Sequence, residues 1–432
     1  MLKQFNKTTF LRQFKRRSFD DYHEELEAVR QILASVRKEG DAAVLASTER
    51  FDGAKLTSLK VSPAEFAAAE KFVEPEMKAI LQQAADNIAS YHRRQMPQSW
   101  VEYGADGIVL GQRITAINRV GVYVPGGGAA YPSSVLMTAI PARIAGVREI
   151  VMVTPPQADG SVNPYTLAAA QIAGIKAVYK CGGAQAVGAL AYGTESIPPV
   201  DKIVGPGNLY VTLAKREVAG VVGIDMLAGP SEILVVADET ARTEFVAADL
   251  LSQAEHDPLA ASFCVTTSAR LAEELPAELS RQCELLERKE IIKQSLTTQG
   301  ALVIVENLDE ALEIVNLLAP EHLELLVSDP WSVLGKVRHA GAVFLGAYTP
   351  EPIGDYWAGP NHVLPTNGSG RFTSVLTVDD FLKKTSLLSY SPQALLECAQ
   401  AVEKLAAVEG LTAHGNAVAK RRELLEQKKG NY

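Results

Sequence analysis

The chain has 432 residues, of which 47% are hydrophobic and 22% charged, a composition typical of a globular protein with two or three domains. Its formal net charge of −9 argues against general nucleic-acid binding, and no apolar run reaches the roughly 18 residues of a membrane span. The first residues lack the apolar core of a secretory signal, so we expect a cytoplasmic protein.

The first hundred residues are predicted to be helical. Residues 22–40 and 62–96 are rich in Ala, Glu, Leu, Lys and Gln, which favour helical backbone. Gly40 closes the first tract as a helix stop, and Ser62 followed by a proline opens the second as a helix start. We expect this region to serve the fold and not the chemistry.

From about residue 105, short β-rich runs alternate with alanine-rich helices, which is typical of βαβ units and a parallel sheet. Glycine-rich turns follow three of these runs, at the edge of such a sheet where ligands bind. The G-x-G-x-x-G fingerprint of dinucleotide sites is absent, but three such turns in succession favour a nucleotide site. The predicted strands are residues 120–124, 149–154, 176–180 and 202–204.

The alternation then starts again after residue 230, and an internal duplication would explain it. The predicted fold class is therefore α/β, with two Rossmann-like parallel-sheet domains lacking that fingerprint, a helical N-terminal segment and a C-terminal tail. The second set of predicted strands is residues 232–237, 262–266, 301–305 and 343–345, and its helices are residues 243–256, 269–294 and 309–318.

Gln253 and His256 are the first candidates for a metal site. They stand three residues apart near the end of a helix that must stop before Pro258, so their side chains are neighbours on one face. An amide oxygen and an imidazole nitrogen together can hold a borderline divalent metal, although capping or surface roles are commoner for such a pair. The four cysteines have no Cys-x-x-Cys spacing, so a thiolate site is not expected.

Three further stretches pair an acid with a histidine. Glu321 and His322 are predicted at the end of a helix, where capping is the alternative role. Asp355 and His362 lie in a Gly/Pro-rich segment that reads as an irregular loop. Near the C-terminus, Glu409 and His414 flank a helix start, where they could also be ordinary surface groups.

Taken in order, the motifs of this chain closely resemble those of histidinol dehydrogenases, the zinc- and NAD-dependent enzymes of the last two steps of histidine biosynthesis. The resemblance runs from about residue 25 to residue 420, and only the first 20 or so residues have no obvious counterpart. The motifs are Gly121-Val-Tyr-Val-Pro-Gly-Gly, Gly182-Gly-Ala-Gln-Ala, Gly205-Pro-Gly-Asn, Ala228-Gly-Pro-Ser-Glu, Ser252-Gln-Ala-Glu-His, Pro320-Glu-His-Leu, Gly354-Asp-Tyr, Asn361-His-Val-Leu-Pro and Leu411-Thr-Ala-His.

The resemblance implies a role for each matching position. Zinc, one per subunit, would be held by Gln253, His256, Asp355 and His414. NAD would bind at Tyr123, Gln185 and Asn208. The catalytic residues would be Glu321 and His322, and L-histidinol would be bound by Ser231, Gln253, His256, His322, Asp355, Glu409 and His414.

The resemblance also implies a homodimer in which the C-terminal segment crosses over and completes the site of the other copy. The domains would be an N-terminal arm (1–18), a first α/β domain (19–104 with 230–376), a second Rossmann-like domain on the NAD side (105–229) and a helical dimerisation tail (377–432). His322 would act as the base, and Glu321 would activate water, since no cysteine lies in the substrate motifs.

Three alternatives stay open at this point. A dehydrogenase of the same fold could act on another small alcohol, such as a sulfonated diol. A zinc hydrolase could use the same ligand cluster with Glu321 as its base, but it would not need three glycine-rich turns on a parallel sheet. A metal-binding dimer without catalysis would leave Glu321 and His322 without a task.

Overall fold

The structure is a computed structural model that describes residues 2–16, 21–126 and 130–429. Part of the predicted N-terminal arm and the middle of the first glycine-rich turn (127–129) lie outside these residues. The described chain forms two units. Unit 1 comprises Met1–Met96 and Ile117–Phe381, and unit 2 comprises Pro97–Ala116 and Leu382–Tyr432.

The strands of the described residues are, in chain order, β1 (Lys3–Asn6), β2 (Trp100–Tyr103), β3 (Val109–Ala116), β4 (Arg119–Tyr123), β5 (Glu149–Thr154), β6 (Ala177–Lys180), β7 (Lys202–Val204), β8 (Gly223–Ile224), β9 (Glu232–Ala237), β10 (Ala261–Thr266), β11 (Ala301–Ile304), β12 (His322–Leu326), β13 (Ala342–Leu345) and β14 (Leu382–Ser389).

The helices are α1 (Lys7–Gln13), α2 (His23–Glu39), α3 (Asp41–Asp52), α4 (Pro63–Phe72), α5 (Pro75–Arg93), α6 (Pro132–Ala145), α7 (Pro164–Ile172), α8 (Gly183–Tyr192), α9 (Leu209–Val218), α10 (Thr243–Ala254), α11 (Ala269–Cys283), α12 (Lys289–Gln299), α13 (Leu308–Leu318), α14 (Pro330–Leu334), α15 (Glu351–Ile353), α16 (Pro392–Val408) and α17 (Thr412–Lys429).

Unit 1 contains two parallel sheets, which confirms the predicted fold class. The first sheet has the strand order β6-β5-β4-β7-β8, and the second has the order β1-β11-β10-β9-β12-β13. The central strands of the second sheet, β9 and β12, are almost continuous apolar runs because helices cover both faces of a parallel sheet. Apolar cores fill both faces of this second sheet, one built with α10, α11 and α12 and the other with α13.

Two features of unit 1 differ from the expectation. Residues 3–6 form strand β1, which pairs with β11, although the first hundred residues were expected to be helical. The expected helix over residues 269–294 is two helices, α11 and α12, because the chain must turn for the apolar residues of both to reach one core. The helix start at Ser62 is confirmed by a capping box with Glu65.

Unit 2 contains the antiparallel sheet β14-β3-β2 and the helix pair α16 and α17. The C-terminal segment is therefore not purely helical, because β14 pairs along its whole length with β3. That partner lies more than 250 residues earlier in the chain, so local sequence gives little sign of the pairing. Among the helices described in either unit, none combines the length and the apolar character required to cross a bilayer.

Candidate active site

Glu321 and His322 lie at the start of a central strand and not at the end of a helix, so the expectation for their local structure is wrong. Helix α13 ends at Leu318, and Ala319 caps it in the left-handed conformation before Pro320. His322 is the first residue of β12, whose five residues are all buried. The chain here becomes a strand because a central strand can bury both of its faces.

The hydrogen bonds of His322 define which nitrogen can act as a base. Its Nδ1 lies 3.2 Å from the carbonyl oxygen of Glu232 and 3.0 Å from Oε1 of Gln253. Both partners are acceptors, so we assign the proton to Nδ1 and leave a lone pair on Nε2. That Nε2 is buried and has no hydrogen-bonding partner among the described residues.

The burial of His322 keeps its ring neutral. Desolvation, with smaller contributions from the nearby His256 and His362, lowers the pKa of His322 to about 3. A neutral imidazole with a free lone pair is the form that accepts a proton. The ring is therefore unprotonated throughout the neutral range of pH.

Glu321 is held beside His322 by the backbone of β9. Its Oε2 accepts a hydrogen bond from the N–H of Glu232 at 2.9 Å and lies 3.8 Å from Nδ1 of His322. Burial raises the pKa of Glu321 well above its usual range, and the nearby carboxyl group of Glu232 acts in the same direction. The backbone of Glu232 thus positions both members of the acid–histidine pair. No role was predicted for Glu232, because the local sequence pattern does not reveal a main-chain contact.

The structure brings Gln253 and His256 together as the spacing predicted. Helix α10 ends at Ala254, two residues earlier than expected, and His256 follows it. The amide nitrogen of Gln253 lies 3.4 Å from Nδ1 of His256, while its amide oxygen reaches His322. Fully buried Gln253 therefore connects the two histidines, and burial lowers the pKa of His256.

Asp355 lies on a short helical segment instead of the irregular loop that was expected. Helix α15 continues into a single π-helical turn, Gly354–Ala358. Oδ1 of Asp355 lies 3.7 Å from Nδ1 of His362, so this acid–histidine pair is also close in space. Burial lowers the pKa of His362 to about 4, which leaves its ring neutral as well.

Glu351 belongs to the site, although it was not among the residues predicted from the sequence. One ligand atom each from His322, Glu351 and Asp355 lies within 4.8 Å of the others. Glu351 stands four residues before Asp355, one helical turn away, so recognising this segment as helical would have revealed the pair. Pro350 and Pro352 on either side of Glu351 conceal that helical pattern.

The donor set of this cluster fits a divalent metal. Imidazole nitrogens and carboxylate oxygens are common ligands of zinc, and thiolates are absent from the cluster. Oε1 of Glu351 and Nε2 of His322 are buried and receive no hydrogen bond within the described residues. Buried polar atoms without partners are costly, so a bound group that contacts them would stabilise this arrangement.

A cavity of about 350 Å³ opens beside Asp355 and His362. Its walls are largely apolar, with Phe344, Leu364 and Leu376 among them, and Asn361 adds a polar group. Such a cavity, with a few converging polar groups, is typical of a small-molecule site. Ser231 is the remaining predicted substrate residue in unit 1. It immediately precedes Glu232, the first residue of β9.

The three residues expected at the cofactor site all lie near the carboxyl ends of strands in the first sheet. Each is buried or makes a hydrogen bond within the protein. The hydroxyl of buried Tyr123 accepts a hydrogen bond from the N–H of Gly183 at 3.0 Å. Gln185 is buried in α8, and the side chain of Asn208 caps α9 through the N–H of Val211. Their contact with a cofactor remains a prediction.

A buried ion pair holds the glycine-rich turn after β7. The ammonium group of Lys215 contacts the carboxylate of Asp225 and donates to the carbonyl of Gly205 at 2.9 Å. Asp225 also accepts the N–H of Gly205 at 2.8 Å. Gly205 has a φ of +114°, and a Cβ there would lie 2.1 Å from the carbonyl oxygen of Tyr123, so only glycine fits.

Glu409 and His414 belong to unit 2. Glu409 caps the C-terminal end of α16, and His414 lies in the first turn of α17, and both side chains are exposed. Their assignment to the metal and substrate sites stays a prediction.

The sequence of this chain matches a family model and several known proteins. The family model described as histidinol dehydrogenase matches residues 15–422. The histidinol dehydrogenase of Halalkalibacterium halodurans is 55% identical over 391 residues, which cover 90% of this chain and 92% of that protein. The histidinol dehydrogenase of Moorella thermoacetica is 56% identical over 397 residues, with coverages of 91% and 94%.

Solved structures agree with the sequence relatives. The crystal structure of the histidinol dehydrogenase of Elizabethkingia anophelis superposes with a TM-score of 0.91 at 37% identity, covering 99% of this chain and 98% of that one. An acetylating aldehyde dehydrogenase from Geobacillus thermoglucosidasius shares the fold alone, with a TM-score of 0.51 at 14% identity over 85% of this chain and 97% of that one. On these matches, the chain belongs to the histidinol dehydrogenase family.

Proposed function

We propose that this protein oxidises L-histidinol through L-histidinaldehyde to L-histidine with two molecules of NAD, the last steps of histidine biosynthesis. The observation that carries the proposal is His322, a buried neutral imidazole whose free Nε2 faces a carboxylate cluster. An alcohol dehydrogenase needs such a base, because the hydroxyl proton must leave as hydride passes to the cofactor.

In the first oxidation, Nε2 of His322 would take the hydroxyl proton of histidinol, and NAD, when bound, would supply the hydride acceptor. The products are the aldehyde, NADH and a proton held on the imidazole. The contacts of Nδ1 with Glu232 and Gln253 keep the ring in the tautomer that leaves Nε2 free.

In the second oxidation, Glu321 is the residue that activates water. Glu321 would take a proton from water as the water adds to the aldehyde carbonyl, and a second bound NAD would accept hydride from the hydrate anion. The acid formed then loses its proton and becomes the carboxylate. A cysteine route is disfavoured because Cys181, which borders a predicted cofactor turn, is fully buried and burial raises its pKa. Oε2 of Glu321 lies 3.8 Å from Nδ1 of His322, so the two side chains are adjacent.

The zinc ligands in this proposal are Gln253, His256 and Asp355, completed by His414 from a second copy of the chain. When bound, zinc would anchor the amine and imidazole of the substrate without any redox change of its own. Gln253 is fully buried and its amide lies beside Nδ1 of His256, so contacts within unit 1 orient both side chains, which supports their assignment.

NAD is proposed to bind at the carboxyl ends of the first sheet, at Tyr123, Gln185 and Asn208. The N-terminus of α9 is suited to phosphate, because the helix dipole favours negative charge there. The tight fit of Gly205 against Tyr123 supports a fixed shape for this edge.

We also propose a homodimer that shares its active sites through the C-terminal helices. Unit 2 exposes large apolar side chains that a second copy would cover. They include Trp100, Tyr103, Leu388, Leu405 and Val408. Mixing a His414→Ala chain with a His256→Ala chain tests this, because each mixed dimer would regain one intact site. If no activity returns in mixtures shown to contain heterodimer, the shared site is refuted.

The decisive experiment counts NADH formed from L-histidinol, before and after treatment with a chelator. Two NADH per histidinol, lost with the chelator and restored by zinc, are expected. One NADH per molecule, or turnover only with another alcohol, would support the alternative dehydrogenase. A lack of NAD binding with hydrolytic activity would support the zinc hydrolase.

A further inference from the structure

We propose that Arg16, on the N-terminal arm, is a positioning residue that aligns Glu321 and His322 for the reaction. The inference rests on the proposed function and gives a role in it to a region that was expected to serve the fold alone. The guanidinium group of Arg16 contacts both the C-terminal end of α13 and the turn at Gly368. Helix α13 leads along the chain into the acid–histidine pair, and the turn contacts Glu232, which holds that pair.

The described part of the N-terminal arm is fastened to unit 1 before the chain reaches Arg16. Strand β1 pairs in parallel with β11, and Phe10 of α1 is buried in the core that includes α13. The ring of Phe14 packs against that of Phe10, with the ring centroids 5.6 Å apart. Lys7 forms a salt bridge of 3.2 Å with Glu310 in the first turn of α13. The arm is therefore fixed at both ends of α13, and Arg16 lies at the C-terminal one.

Arg16 caps the C-terminal end of α13. Its Nη2 donates to the carbonyl oxygen of Leu317 and, at 2.8 Å, to that of Leu318. The last carbonyl groups of a helix have no partner within the helix, and a cation there also interacts favourably with the helix dipole. Only two residues separate Leu318 from Glu321. The position of this helix end therefore influences where the acid–histidine pair begins.

The guanidinium group of Arg16 also packs against the turn at Gly368. Gly368 has a φ of +73°, and a Cβ there would lie 1.5 Å from Nη1 of Arg16, so the backbone of the turn touches the arginine directly. Asn367 also has a positive φ, of 51°, which residues other than glycine adopt rarely. In this conformation the N–H groups of Asn367 and Gly368 donate to the carboxylate of Glu232. Arg16 thus packs against the turn that holds Glu232.

Glu232 connects this turn to the acid–histidine pair. Its N–H donates to Oε2 of Glu321 at 2.9 Å, and its carbonyl oxygen lies 3.2 Å from Nδ1 of His322. Burial raises the pKa of Glu232 to about 7, and the nearby positive charge of Arg16 opposes that rise. The side chain of Glu232 is therefore held by the turn and favoured by the arginine, while its main chain holds both members of the pair.

The removal of Arg16 should loosen this connection without unfolding α13. Arg371 also donates to the carbonyl oxygen of Leu317, so one hydrogen bond to the helix end remains. The arm keeps its own contacts through β1 and Phe10. A variant at Arg16 therefore tests the alignment of the pair and not the formation of the fold.

We expect Arg16→Ala to lower kcat for L-histidinol about 10–100-fold, because a displacement of about 1 Å at the reacting groups is enough for such a loss. The KM should change less than about threefold, because the proposed zinc ligands that anchor the substrate lie on other elements. The oxidations of histidinol and of histidinaldehyde should slow by the same factor, since Glu232 holds Glu321 and His322 alike. Zinc content and the circular dichroism spectrum should match those of the wild type.

Chemical rescue separates positioning from a general loss of structure. Guanidinium ion at about 20 mM, far below the molar concentrations that unfold proteins, should occupy the place of the lost side chain and raise kcat of Arg16→Ala toward the wild-type value. Methylammonium has the same charge but lacks the planar fork of donors, so it should restore much less. Lys15→Ala is the matched control, since it removes the preceding, exposed cation. This control should keep the wild-type kcat with and without guanidinium.

The outcomes separate this inference from the proposed function. If the wild-type protein does not oxidise L-histidinol, the proposed function fails, and the positioning role fails with it. If the wild-type protein is active, only the inference fails when Arg16→Ala keeps kcat within about threefold of the wild type, slows one half-reaction alone or gains nothing from guanidinium. Should Arg16→Ala not fold, Arg16→Lys keeps the charge without the fork of donors and must still lower kcat. Wild-type kcat in Arg16→Lys would then overturn the inference.

Discussion

The two parallel sheets of unit 1 carry their candidate sites at opposite strand ends. On the first sheet, Tyr123 and the turns at Gly183 and Gly205 lie at the carboxyl ends of β4, β6 and β7. On the second sheet, Glu232 and His322 are the first residues of β9 and β12. Carboxyl ends are the usual place for ligands in open α/β sheets, so the second site uses the sheet in an unusual way.

The two regions also differ in how their buried polar groups are satisfied. In the first, Lys215 and Asp225 compensate each other and hydrogen-bond the Gly205 turn. In the second, Glu351 and His322 present buried atoms without hydrogen bonds from the described residues. The protein completes the first region by itself, whereas a bound group must complete the second. The following predictions test that contrast.

The largest expected effect is on turnover. His322→Asn should lower kcat for histidinol oxidation about 10²–10⁴-fold, because it removes the base while keeping a polar side chain of similar reach. Zinc content, measured by atomic emission on the same preparation, should stay near that of the wild type. His23→Asn, at an exposed position, is the control. Turnover close to wild type in His322→Asn would remove His322 from the mechanism.

The next effect is on stability, in the first region. Lys215→Met should lower the free energy of unfolding by about 3–5 kcal/mol, because it leaves Asp225 as an uncompensated buried charge. Urea unfolding of the protein without ligands measures this loss. Arg281→Met, which breaks an exposed pair with Glu278, is the control and should have little effect. Equal, small losses in the free energy of unfolding for the two substitutions would contradict the contrast between the regions.

Glu321→Gln should separate the two half-reactions. We expect the oxidation of histidinaldehyde to slow about 10²-fold, and the oxidation of histidinol to slow much less, because only the second step needs activated water. Each half-reaction is followed separately by the formation of NADH. Equal losses in both would contradict the division of labour between Glu321 and His322.

In the metal-free protein, Glu351→Gln should change the free energy of unfolding in the opposite direction to Lys215→Met. Removing an uncompensated buried carboxyl group should raise the free energy of unfolding by about 1 kcal/mol or more. Urea unfolding of the metal-free protein measures this gain, and a destabilised variant would contradict it.

The smallest effect concerns Asn208. Asn208→Ala should cost about 1 kcal/mol of stability, because the side chain caps α9. Asn208→Ser keeps a capping hydroxyl and should restore most of that loss. If Asn208 also contacts NAD, both variants should bind NAD more weakly in a fluorescence titration. Wild-type NAD affinity in both would limit Asn208 to its cap.

The sequence predicted the regular part of the fold well, because each parallel strand is a short apolar run with a glycine or a helix after it. Strands β5, β7 and β9 have the bounds that were predicted. It missed β1 and β14, whose partners β11 and β3 are about 300 residues away in the chain. A short strand with one exposed face has little local signal, and its pairing depends on contacts that only the folded chain provides.

The features of the site also divide into those that the sequence predicts and those that depend on the folded chain. The sequence alone determined the chemical groups: the acid–histidine pairs, the amide beside an imidazole, and the absence of a cysteine pair. Only the tertiary structure decided their arrangement. It placed Glu321 and His322 on a strand, used the backbone of Glu232 to orient both, and brought Glu351 to Asp355. Local sequence fixes what a side chain can do, but burial and hydrogen-bond geometry, which determine what it does, come from distant segments packed together.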